Sequence, residues 1–327
     1  MPFASRRVRA CRFVRRAGLA AALPAPPPAP MAALTMASMA VVLAALVAAC
    51  STAAPSAAEP PPTARQETVH AVTAGGELIS FRAGQPQQLL KRLPLRGLAA
   101  GDTLVGIDYR VARGVLYALS AQGRLYTLDT STAQLAPVGS GAPLPITLAD
   151  PRFGFDFNPA ADRIRVVGER GQSLRLHPDT GALVDGDPAR EGVQPDGALH
   201  YARGDAHAGR APQLLAAAYT YNKNDDRLST NFAIDGGLGM LVMQGSREGA
   251  TPVVSPNTGR LATIGPLGTG PLQDAAFDIA DLDNSALAAL RVGERTRLYV
   301  VDLGSGRATL LGTIGDGQAL SGLAIEP

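Results

Sequence analysis

The chain has no tryptophan and only two cysteines in 327 residues, and aromatic side chains make up 5% of it. That scarcity of flat rings argues against a surface that stacks bases or sugars. Both cysteines, Cys11 and Cys50, fall at or before residue 50, so everything after them has neither a disulfide nor a thiolate metal site. A body of this length can bury a core without such staples. Signatures of common chemistries are missing too: there is no Gly-x-Ser-x-Gly elbow, no His-Glu-x-x-His pair and no phosphate-binding loop. The glycine-rich stretches sit at hairpin turns rather than between a strand and a helix. No cofactor is expected, and nothing names a reaction.

The net charge of +2 conceals an uneven distribution. Residues 1–49 hold six arginines and no acid; taking those six away leaves 24 basic against 28 acidic residues, a net of about −4. A mildly acidic body has no electrostatic footprint for nucleic acid. The leader itself has the order of a secretory signal: arginines at 6–16, a Pro/Ala spacer, then an apolar run over 32–49. The run stops at Ala48-Ala49-Cys50-Ser51, which resembles a bacterial lipobox. The resemblance implies cleavage before Cys50, acylation of Cys50 and, with serine next, the outer membrane; an uncleaved anchor is the alternative. Residues 50–67 read as an Ala/Pro/Ser-rich tether. Both readings put the body, 68–327, outside the cytoplasm on the bacterial cell envelope.

What the body does have is a repeated phrase. Residues 104–139, "LVGIDYRVARGVLYALSAQGRLYTLDTSTAQLAPVG", give four short strands near 104–109, 115–119, 124–129 and 135–138. Gly123-Arg124-Leu125-Tyr126-Thr127-Leu128-Asp129 alternates with period two, as a half-buried strand requires. Copies open at 153, "FGFDFNPAADRIRVVGERGQSLRLHPDTGALV", and at 273, "QDAAFDIADLDNSALAALRVGERTRLYVVDLGSGRATLLGTIG". A less regular unit spans 214–268, after a Gly/Asp/Pro-rich excursion over 185–213. The N-terminal stretch from 68 has three strands and lacks a first, which "ALSGLAIEP" at the C-terminus supplies. An all-β propeller of about five four-stranded blades is expected, its ring closed by the chain's two ends.

The segments "GFDFNPAADRIRVV" (154–167), "AAAYTYNKND" (216–225) and "LVMQGSREGATPVVSPNTGRLATIGPLG" (241–268), with the closing "LYVVDLGSGRATLLGTIG", resemble an exported bacterial family catalogued as a domain of unknown function, number 4394. Asn158-Pro159 stands where that family has its Asn-Pro. The resemblance covers the whole body and implies a secreted β-rich repeat fold with no established activity.

Candidate site residues follow from the repeat and from departures from it. Asp108, Asp156 and Asp278 share one position, in the first strand of three copies; Ala324 holds that place in the split copy. First strands line a propeller's channel, so these carboxylates either converge on a hard cation or accept backbone N–H groups from the next blade. Arg163 and Arg165 share one face of their strand and, with Asp156 and Asn158, form a candidate grip for an anion. The alternative is a solvated strand face with an Asn-Pro turn. His200, Asp205 and His207 match no metal spacing, and "DIADLDNSAL" lacks the glycine and terminal glutamate of a calcium loop. No metal site is assigned. The function expected is a lipid-anchored binding or scaffold module for an envelope protein or small ligand. The alternative is a hydrolase or lyase with a carboxylate/arginine site at the channel, which needs Asp156, an arginine and a histidine in one pocket.

Overall fold

The structure is a computed structural model and describes residues 59–61 and 63–327. The signal segment, Cys50 and the tether up to residue 58 lie outside the described residues.

Twenty strands form five sheets. In chain order, β1 (Thr68–Thr73), β2 (Glu77–Arg82) and β3 (Leu89–Pro94) open blade 1. Blade 2 consists of β4 (Leu104–Arg110), β5 (Val115–Ser120), β6 (Leu125–Asp129) and β7 (Gln134–Pro137). Blade 3 has β8 (Phe153–Asn158), β9 (Arg163–Gly168) and β10 (Ser173–Leu176). The two-residue β11 (His200–Tyr201) joins β12 (Leu214–Tyr219), β13 (Asn231–Asp235), β14 (Met240–Gln244) and β15 (Arg260–Pro266) in blade 4. Blade 5 is β16 (Asp274–Ile279), β17 (Ala286–Val292), β18 (Arg295–Val301) and β19 (Ala308–Thr313), and β20 (Leu320–Ile325) returns to pair with β1. The expected five-bladed propeller, with its closing blade shared between the termini, is what forms. Closure leaves the sheet no free inner edge where the chain begins and ends.

Strand counts depart from four in two blades. Blade 3 has three, because the segment expected to supply its fourth strand makes only one bridge, Leu176 to Leu183. The excursion then lines the β10 edge irregularly, giving N–H groups of Val184 and Asp196 to the carbonyls of Arg175 and Ser173. It next adds β11, parallel to β15, as a fifth strand of blade 4. The edge is satisfied in both cases, by loop and by strand respectively.

The five first strands, β20, β4, β8, β12 and β16, pack in that order around the axis. They are buried on both faces, which is why they read LLAAAY or DAAFDI and do not alternate. The outermost β3 alternates half-buried and exposed. Crowding at the axis demands small residues: a Cβ on Gly154 would lie 2.5 Å from the Ala217 nitrogen, and one on Gly106 2.3 Å from the Phe155 Cβ. The space left there is about 10 Å³, at the lower limit for one water. The axis is therefore closed at this level, and its two mouths are separate.

Apolar cores lie between consecutive blades. Between blades 2 and 3, Tyr117, Leu119 and Leu125 meet Phe155, Phe157, Ile164 and Leu174. The Tyr117 and Phe157 rings stand edge to face at 5.1 Å. Each such side chain contributes roughly 1.5–3 kcal/mol by burial.

Candidate site at the channel mouth

At the C-terminal ends of the first strands, beyond the glycine level, Asp108 of β4, Asp156 of β8 and Asp278 of β16 turn inward. Each offers an oxygen within 4.8 Å of the others', and all three residues are buried. Each also holds the next blade. Asp108 accepts the Phe157 N–H (2.7 Å), Asp156 the Tyr219 N–H (2.9 Å), and Asp278 the Ile325 N–H (2.6 Å) along with that of Ile279 (2.6 Å). The two sequence alternatives, convergence and blade linkage, thus describe the same three side chains. At the blade 4–5 boundary Asn284 does the linking, accepting the Tyr221 N–H and donating to the Tyr221 carbonyl.

Burial, then mutual repulsion, holds Asp108 and Asp156 well above the usual carboxylate range. Burial pushes Asp278 up to about 6, against its two backbone bonds. Among the described residues no cationic side chain is within ion-pair distance of this trio. Burial raises the phenol of Tyr221, and the charges of Asp108, Asp156 and Asp278 raise it further.

Tyr221 also lines a cleft of about 300 Å³ with Phe157, Asn158, Pro159, Asp226 and Leu228. Arg110, at the cleft wall, is held by Asp162 (2.8 Å to Nε) and Asp179 (2.5 Å), with the Asp162 bond the main cause of its raised pKa. The cleft's lining is thus largely apolar, with Asp162 and Asp226 as its carboxylates, and the buried trio does not line it.

The remaining site candidates disperse. Asn158 accepts N–H groups of Ala160 (3.0 Å) and Ala161 and the Ser229 hydroxyl (3.0 Å), capping its own hairpin and tying it to blade 4. Arg163 is half-buried and donates to the Asp162 carbonyl. Arg165 sits across the ladder from Asp156, yet its guanidinium goes to Asp196 (2.5 Å), Asn257 (2.6 Å) and the Tyr219 hydroxyl (3.3 Å). Arg175 closes the same group with three hydrogen bonds to Asp196. Asp205, His207 and Thr263 bond one another where the excursion meets β15, and His200 bonds its own loop. Tyr221, Arg110 and Asn284 escape the sequence reading. Tyr221 lies within the family-like segment "AAAYTYNKND", where no local pattern singles it out.

A family model described as Domain of unknown function (DUF4394) matches residues 77–324, and the chain belongs to that family. No curated protein matches it. Among solved structures, a chain of a nidogen/laminin complex is 11% identical with a TM-score of 0.41, covering 80% of this chain and 98% of that one. A protein of unknown function from Bacteroides thetaiotaomicron is 10% identical with a TM-score of 0.41, over 81% of this chain and 64% of that one. A 6-phosphogluconolactonase, so titled provisionally, from Bacteroides uniformis is 14% identical with a TM-score of 0.36, over 76% and 83%.

Proposed function

We propose that this member of the DUF4394 family is a binding module of the bacterial cell envelope, tethered through acyl chains on Cys50. Its ligand brings positive charge to the buried trio Asp108, Asp156 and Asp278. One observation carries this reading: three buried carboxylates lie within 4.8 Å of one another, and no cationic side chain among the described residues pairs with them. Such an arrangement is costly while ionised and is relieved by an incoming charge. The cleft lined by Tyr221, whose phenol feels the charge of all three carboxylates, supports a ligand that enters there. The positive charge belongs either to a divalent metal ion or to an organic ammonium group. The enzyme alternative loses support from dispersal, since Arg165 is engaged by Asp196 and His70, His177, His200 and His207 do not line the cleft.

Terbium luminescence tests the site on the full chain, because tyrosine is its best available antenna when tryptophan is absent. Saturable emission, displaced by calcium and lost in the Asp108→Asn, Asp156→Asn double variant, is the expected result for a metal ion. Displacement of terbium by a diamine such as putrescine, without competition by calcium, assigns the organic cation. Absence of binding in both arms overturns the reading. Anchoring has its own test: Cys50→Ala is expected to move the protein out of the membrane fraction, and unchanged retention rejects the lipid anchor.

A further inference from the structure

Blade 3 and the closing blade use the same cross-strand position differently. In blade 3 the row Asp156, Arg165, Arg175 crosses β8, β9 and β10, and its buried arginine is matched by Asp196. The equivalent row of blade 1 reads Ala324, His70, Ser80, Lys91 across β20, β1, β2 and β3. A permanently charged group has been replaced by a titratable one, in the blade that joins the two ends of the chain.

His70 is 4% exposed. Its Nδ1 lies 2.8 Å from the Ser80 hydroxyl, while its Nε2 is buried and has no hydrogen-bond partner. Four groups face the ring. Glu326, just past β20 and 48% exposed, has a carboxylate oxygen 3.8 Å from Nε2. Ser80 comes from β2, and Lys91 of β3 reaches the Thr130 carbonyl of blade 2 at 2.9 Å. The Tyr109 ring of β4 lies 6.1 Å away. A neutral imidazole satisfies this pocket except at Nε2. An imidazolium would need Glu326 to close in, with burial and Lys91 both opposing the added charge.

We infer that His70 makes closure of the ring acid-sensitive, so that protonation loosens the seam between β20 and β1. The inference goes beyond the ligand reading and does not depend on it. It has a consequence for the mouth, because Ile325, next to Glu326, gives its N–H to Asp278. Burial holds the His70 pKa below its ordinary 6.5, with Glu326 partly offsetting this and Lys91 adding to it. An unfolded chain takes the proton first. The contribution of His70 is therefore fully present above about 6.5 and lost as pH falls.

The experiment compares melting temperatures of the full chain at pH 7.5 and pH 5.5. His70→Gln cannot titrate and can keep a bond to Ser80. Wild type is expected to lose up to roughly 2–4 °C more than this variant, because pH 5.5 lies about one unit below the ordinary imidazole value of 6.5 at which the unfolded chain takes up its proton. Effects of the central carboxylates are common to both proteins and cancel. Glu326→Gln, which removes the carboxylate nearest Nε2, is expected to lose more than wild type. Equal losses in wild type and His70→Gln, or a smaller loss in Glu326→Gln, overturn the inference. Should His70→Gln fail to fold, the imidazole of wild type is titrated by NMR. A His70 pKa at or above 6.5 in the native protein overturns it as well.

Discussion

Two buried polar clusters lie one strand apart in this propeller, and they are solved in opposite ways. Arg165, Arg175 and Asp196 combine opposite charges with further donors and acceptors from Ser173, Tyr219 and Asn257. Asp108, Asp156 and Asp278 gather charge of one sign, and each spends bonding capacity on a neighbouring blade's backbone. The first cluster is complete as folded and reads as a seam. The second is destabilised by its own charge while ionised and relieved by protons or a cation, which makes it the candidate site. Burial alone therefore does not separate structure from function; charge balance within the cluster does.

Both clusters depend on the closed ring, so the largest effect is expected from removing residues 320–327. This takes away β20 and the Ile325 N–H held by Asp278; circular dichroism should show no cooperative melt. A truncated chain that melts like the parent would reject closure by the termini. Next comes Asp196→Ala, which leaves two arginines facing each other in the seam; a loss of about 3–5 kcal/mol in urea unfolding is expected. If the loss is near zero, the seam is not the balanced cluster described.

Smaller changes discriminate within the carboxylate cluster. Asp156→Ala strands the Tyr219 N–H and should cost about 1–3 kcal/mol. Asp156→Asn keeps an acceptor and removes a charge, so without ligand it should melt a few degrees above the parent at pH 8. That advantage should vanish near pH 4. The sign follows from the raised pKa values: the native state binds more protons than the unfolded chain. Stability from the cluster is thus fully present below about 3.9 and declines as pH rises through the value of about 6 for Asp278. An Asp156→Asn variant less stable than its parent at pH 8 would mean that the cluster is not under charge strain. His70 works in the reverse direction, losing its contribution as pH falls.

Much of this architecture could be read in the chain. Recurrence of a four-strand phrase, with its missing first strand found at the other end, is enough for five blades and their closure. The shared position of Asp108, Asp156 and Asp278 also foretells their convergence, because equivalent residues of first strands face one axis. Arg165 shows where such reading stops. Period two places it beside Arg163 on one face, but whether that face meets solvent, ligand or another blade depends on the excursion that brings Asp196 to it. The three-stranded blade 3 was illegible for the same reason, since its fourth place is filled by irregular chain.

Elements and their repetition follow from local sequence, because alternation, turn chemistry and strand propensity act over a few neighbouring residues. Only the tertiary structure decided which polar residues are matched and which are left in need. Tyr221 and Asn284 meet across a blade boundary, Asp196 reaches Arg165 from the excursion 31 positions away, and Glu326 reaches His70 across the seam between the chain's ends, 256 positions away. Such pairings follow from ring geometry, and no local pattern encodes them.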